Sequence, residues 1–158
     1  MRKILNPFRG LAGYECFGCC PDNQLGLQMS FYEEGNYIYS EWDPKAHFQG
    51  YIKVLHGGIQ STLIDEIASW ACYVKLETAG VTSRINIKYK LPVYIDQGKI
   101  LLKAIIDSVH RNIAKIKVEL LNSNQQLCAE GLVDYYMLPK EKAEKEFNYP
   151  GIEKFFTN

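Results

Sequence analysis

One segment of this chain follows a helical period over a useful length, and the segments on either side of it alternate instead. From Gly58 to about Glu77, the residues Ile59, Leu63, Ile67, Trp70 and Val74 recur at three- and four-residue spacing and form one apolar stripe. Gly80 is placed to stop the helix just past its end. Ahead of it, "LGLQMSFYEEGNYIYSEWD" gives strands near 25–33 and 36–43 around the turn residues Glu33-Glu34-Gly35-Asn36. Beyond it, "VTSRINIKYKLPVY", "KILLKAIIDSVH", "IAKIKVELLNS" and "QLCAEGLVDYYML" each alternate, with "IDQG", "RN" and "NSNQ" as turns. Short turns make these four consecutive antiparallel neighbours in the simplest connection. Two strands, one long helix and four strands imply an α+β domain in which a strongly curved antiparallel sheet wraps around a single central helix.

The 158 residues fit one domain, 1–158, with residues 1–24 as an N-terminal arm and 139–158 as a C-terminal tail that begins with the charged helical stretch "KEKAEKEF". The 18 Lys and Arg residues balance 18 Asp and Glu residues, so the bulk charge calls for no nucleic-acid partner. No stretch reaches the roughly 20 apolar residues of a membrane span. The first residues lack a continuous apolar signal core, so a soluble cytoplasmic protein is the expectation. Of the five cysteines, Cys16, Cys19 and Cys20 crowd one loop, while Cys72 and Cys128 read as small core residues. Thiolates at this spacing are ligand-like, but a closed zinc site needs four ligands. No second pair or nearby histidine is evident, so a reduced loop packed on the domain, with no metal, is expected.

The start of the helix bends two local rules. "VLHGGIQSTLIDE" places Gly57 and Gly58 at the first turn and the acidic pair Asp65-Glu66 in the helix interior. The amides of Gly57 and Gly58 lie where backbone N–H groups have no intrahelical acceptor and the macrodipole is positive, so they could hold an oxyanion. His56 reads either as a cap or as an imidazole satisfied in the core. On the helical wheel Gly58, Ser61, Thr62, Asp65, Ser69 and Cys72 form a second stripe of mostly small residues opposite the apolar one, with Glu66 at the edge of the apolar stripe. Asp65 therefore faces the same side as the amides, about 10 Å further along the axis. A substrate carbonyl at the amides must lean toward Asp65 or meet it from a partner chain.

"HGGIQSTLIDE" followed by "GVTSRINIKYKLPV" resembles the hotdog-fold thioesterases of the phenylacetate-pathway and 4-hydroxybenzoyl-CoA type. Their pattern is His-Gly-Gly, an acid nine residues after the histidine, then a Thr/Ser-rich strand ending in proline. The segment "CFGCCPDNQLGL" is similar to an N-terminal stretch found in many of them, and the likeness covers roughly residues 15–137. It implies hydrolysis of an acyl-CoA or related acyl-thioester. Asp65 would be nucleophile or general base, Gly57 the oxyanion donor with Gly58 assisting, and His56 the residue that shapes the turn. Thr82 matches a hydroxyl that often acts from a neighbouring subunit.

The resemblance further implies a homodimer joined edge to edge, with pairing into a tetramer plausible, and no cofactor beyond the CoA of the substrate. Two departures stand out. The family often has Asn or Gln six residues before the histidine, where this chain has Gly50 with Gln49 beside it. Cys20-Pro21 and Gln24 replace Gly-Pro and Pro in the N-terminal stretch. Arg84 and Arg111 are the leading candidates to meet CoA phosphates, ahead of Lys88 and Lys90. Alternatives are a non-catalytic acyl-CoA-binding module and a hotdog-fold hydroxyacyl dehydratase.

Overall fold

The computed structural model describes residues 1–156. Seven strands form one antiparallel sheet: β1 (Arg2–Ile4), β2 (Phe31–Glu34), β3 (Tyr37–Trp42), β4 (Gly80–Tyr89), β5 (Ile100–His110), β6 (Ile113–Leu121) and β7 (Leu127–Met137). The long helix α1 runs over Gly57–Lys75, and a short helix α2 over Lys140–Phe147. The expected α+β architecture is present, with the sheet curved around α1. Among the described residues, no helix is long and apolar enough to cross a membrane.

The spatial order β1-β2-β3-β5-β6-β7-β4 corrects the expectation that the last four strands are consecutive neighbours. β4 pairs with β7 at the far edge, and β5 pairs with β3. The chain leaves β3, crosses the sheet through α1 to lay down β4, and returns through residues 90–99 to fill the place beside β3. "IDQG" thus belongs to a long crossing connection rather than to a hairpin.

Other boundaries differ for local reasons. β1 is an added strand in the arm, paired with β2. The strand expected over 25–33 begins only at Phe31, because Leu27 and Met29 donate instead to the carbonyls of Phe17 and Gly18. α1 ends at Lys75, well before Gly80, since Glu77 already takes a left-handed φ of 52°. Gly80 opens β4, and a Cβ there would lie 3.0 Å from the Tyr136 carbonyl oxygen. The last two residues of the tail, 157 and 158, lie outside the described residues.

Burial of α1 organises the core. Leu63, Ile67, Trp70 and Val74 of the expected stripe are buried, while Ile59 is only partly so. Ile64, Ala68, Ala71 and Cys72 are buried as well, so the buried arc is much wider than one stripe. That places Cys72 in the core rather than on the small-residue face. Trp70 stacks on Phe31 at 4.4 Å between centroids, and its edge meets Phe155, which also contacts Phe8, Tyr73 and Tyr149. The tail is therefore part of the core, and Leu5 donates to the carbonyl of Phe155 to hold it there.

Helix and sheet approach closely at Gly131 of β7, where an added Cβ would fall 2.6 Å from Ile64 Cγ2. That atom sits on a β-branched side chain with little freedom to move. Gly131→Ala should cost about 1–3 kcal/mol in urea unfolding. In an Ile64→Ala background, which removes the clashing methyl, the same change should cost clearly less. Strictly additive losses would refute the close-approach account.

Candidate active site

The first turn of α1 is closed by its own preceding histidine. Gly58 N–H donates to His56 Nδ1 at 2.9 Å, while Ile59 and Gln60 donate to the His56 carbonyl. His56 is thus an N-cap, which resolves its two readings, and its imidazole faces solvent rather than the core. One consequence alters the expected oxyanion pair: the Gly58 amide is engaged. Gly57 N–H has no acceptor among the described residues, so it alone keeps the free donor of the first turn.

Two tyrosines unremarked in the sequence frame this helix. Tyr89, near the end of β4, donates from its hydroxyl to the Gly57 carbonyl at 2.9 Å and lies 2.6 Å from Ser61 Oγ. Tyr135, 2% exposed on the inner face of β7, donates to Asp65 Oδ1 at 2.6 Å and stands 2.8 Å from the Asp65 carbonyl oxygen. Burial, and next to it the Asp65 charge, push the Tyr135 phenol above its ordinary value, so it remains a donor.

Thr82 Oγ1 is the second donor to Asp65 Oδ1, at 2.8 Å. It reaches Asp65 within its own chain, where the resemblance implied a hydroxyl from a neighbour. The contact coincides with an irregularity of β4, where pairing with β7 shifts between Thr82 and Arg84. Ser83, the displaced residue, donates to the Asp134 carbonyl. With Oδ1 held by two hydroxyls, Asp65 Oδ2 accepts no hydrogen bond among the described residues. The carboxylate is fixed through one oxygen and presents the other.

Glu66, the neighbour of Asp65, points elsewhere. It accepts from the Trp70 indole at 3.1 Å and lies against Cys16, and burial pushes its carboxyl up to about 7. The sequence reading of the acidic pair, one outward acid and one packed acid, matches this placement.

The remaining candidates are spread more widely. Gln49 Oε1 accepts from the Lys53 amide and closes the loop ahead of His56, so its carbonyl oxygen serves that loop. Gly50 packs beside His56, with Tyr51 and Ile52 exposed at the loop tip. Arg84 is exposed on β4, opposite Asp134. Arg111 sits exposed in the tight β5–β6 turn with a φ of 53°, at the end of the sheet where β4 begins. The structure thus brings Asp65 and Thr82 together and joins His56 to the Gly57-Gly58 turn. It leaves the arginines and Gln49 outside that cluster. Tyr135 had a signal in the sequence: it shares the inward face of its strand with Ala129, Gly131 and Val133, and an inward hydroxyl among small residues needs a polar partner.

Within one chain the free Gly57 amide and Asp65 are far apart. Eight residues of helix correspond to about 12 Å along the axis, whereas groups acting on one carbonyl must sit within about 3.5 Å of it.

Comparison with known proteins agrees with this picture. Residues 52–129 match the thioesterase superfamily. No curated protein sequence matches the chain. Among solved structures, the zebrafish thioesterase superfamily member 2 is similar over 75% of this chain and 90% of its own, at 25% identity and a TM-score of 0.65. A thioesterase from Haemophilus influenzae aligns over 71% of this chain and 79% of its own, at 22% identity and a TM-score of 0.64. A hypothetical thioesterase from Streptococcus pneumoniae, solved with coenzyme A, aligns over 71% and 90%, at 17% identity and a TM-score of 0.65. The family match over residues 52–129 and the shared fold make this chain similar to the hotdog-fold proteins of the thioesterase superfamily.

Proposed function

We propose that the chain hydrolyses an acyl-CoA or related acyl-thioester, with Asp65 as the reacting carboxylate and the Gly57 amide as the oxyanion donor. The observation that carries this reading is a carboxylate pinned by Thr82 and Tyr135 through one oxygen and open at the other. It lies on the same helix whose first amide is left free by the His56 cap. The thioester carbonyl oxygen accepts from Gly57 N–H, which stabilises the negative charge that develops there. Asp65 Oδ2 then attacks the carbonyl carbon or takes a proton from the attacking water. On the first route the thiolate leaves and water then cleaves the acyl–Asp65 anhydride to release the acid; on the second the adduct of water and thioester expels the thiolate directly.

The axial separation of the two groups makes the reading a dimeric one. A second copy whose helix runs antiparallel to the first brings each Gly57 amide toward the other chain's Asp65. β4 supports this assembly. It is a ten-residue edge strand paired on one side only among the described residues, and it exposes Val81, Ile85 and Tyr89. A long apolar edge of this kind favours strand addition. The CoA of the Streptococcus pneumoniae neighbour supports a CoA ester as the substrate class. Exposed Arg84 and Arg111 would meet its phosphates, in a cytoplasmic homodimer that needs no further cofactor.

Two outcomes test this reading, each measured with a panel of acyl-CoA esters and a thiol-reactive dye. Asp65→Asn keeps the hydrogen-bond geometry and should abolish thiol release while leaving CoA-ester binding and dimer mass unchanged. Full turnover in that variant would remove Asp65 from the mechanism, and binding without thiol release in the unaltered protein would favour a binding module. Tyr135→Phe should lower kcat by about tenfold to a hundredfold with little change in KM, because it loses one donor to Asp65 without changing shape. An unchanged kcat would reduce Tyr135 to a packing residue.

A further inference from the structure

The loop carrying Cys16-Phe17-Gly18-Cys19 lies directly over the inward-facing Glu66 of α1. Cys16 Sγ is 3.3 Å from Cys19 Sγ and 3.6 and 3.8 Å from the two Glu66 carboxylate oxygens. One donor atom from each of the three residues lies within 4.8 Å of the others. The two Cys16 distances are close to the edges of a small tetrahedron. With zinc–sulfur bonds near 2.3 Å and zinc–oxygen bonds near 2.0 Å, tetrahedral angles put two sulfurs about 3.8 Å apart and a sulfur and an oxygen about 3.5 Å apart. The sulfurs need part by only about half an ångström, and the edge from the Cys16 sulfur to a Glu66 oxygen already fits.

The surroundings are shaped to hold these groups. The loop crosses closely at Gly18, where an added Cβ would press on the Glu66 side chain and push its carboxylate aside. The loop is fixed by Cys20 N–H to the Cys16 carbonyl and by Leu27 and Met29 N–H to the carbonyls of Phe17 and Gly18. The Trp70 indole orients the carboxylate. Beside the three ligands opens a cavity of about 330 Å³ lined also by Tyr14, Ser69 and Tyr73, with room for a water as fourth ligand.

We infer that Cys16, Cys19 and Glu66 form a zinc site that clamps the N-terminal loop onto α1, with its fourth position open to this cavity. Two thiolates and one carboxylate select a zinc-like ion over calcium or magnesium, which take oxygen ligands. The site is separate from Asp65, which leaves the helix on another face, so its role is to brace the helix rather than to react. Cys20 is not a ligand: its thiol turns to the Tyr14 carbonyl.

Cobalt(II) titration of the fully reduced chain tests this directly, because cobalt reports both thiolate ligation and tetrahedral geometry in its absorption spectrum. One equivalent should bind with a thiolate-to-cobalt band in the near ultraviolet, and zinc should displace it. Cys16→Ser and Cys19→Ser should remove the band, and Glu66→Gln should weaken binding at least tenfold. Cys20→Ser and Cys72→Ser should leave it intact, with circular dichroism confirming that each variant is folded. Zinc should also raise the melting temperature of the unaltered protein but not of the Cys16 variant. No stoichiometric uptake by the reduced, unaltered chain would overturn the assignment without reference to any variant. So would a cobalt band indifferent to Cys16 and Cys19, or a Cys16–Cys19 pair that forms a disulfide but takes no metal once reduced.

Discussion

Enclosure of α1 by a single sheet is the constraint on which the rest of this molecule depends. The helix buries Leu63, Ile64, Ile67, Ala68, Trp70 and Ala71 against the inner face, and it comes so close to β7 that only glycine fits at position 131. A helix held this tightly can neither rotate nor slide. Its remaining face, with Ser61, Thr62 and Asp65, is therefore presented at a fixed angle toward the edge of the sheet. The position of Asp65 is thus set by apolar packing on the opposite side of the same helix, and Thr82 and Tyr135 only complete it.

The same enclosure explains why one helix can serve several purposes. Its N-terminus is capped by His56 in a way that uses the Gly58 amide and spares that of Gly57. Two turns further on, adjacent acids diverge by the roughly 100° step of an α-helix, so Asp65 faces outward while Glu66 faces the N-terminal loop. Residues neighbouring in sequence thereby belong to different environments. One carboxylate is held by hydroxyls, and the other is packed against sulfur and indole.

Much of this was legible in the sequence because it rests on local periods. The helix, six of the seven strands and the distinction between Asp65 and Glu66 follow from spacing alone. Strand order did not, because antiparallel neighbours and a crossing connection share the same local pattern, and only the place beside β3 decides where β5 goes. β1 was hidden because three residues are too few to show alternation. Tyr135 was legible only in part: its inward position followed from the strand, but its partner lies 70 residues away. The cysteine pair looked incomplete for a related reason, since Glu66 stands 50 residues from Cys16 and meets it only once α1 has docked.

In the proposed dimer the amide and the acid acting on one thioester come from two chains, and mixing two inactive variants tests that claim. Gly57→Pro deletes the N–H proposed to hold the oxyanion, at a first-turn position where proline is well tolerated. His56 already has the extended ψ of 133° that a following proline demands. Asp65→Asn deletes the carboxylate proposed to react. Each variant alone should be inactive. After unfolding and refolding together in equal amounts, half of the dimers would be mixed, and each would hold one intact site, giving about a quarter of the unaltered activity. No recovered activity from verified mixed dimers would contradict the claim and place both groups of each site in a single chain.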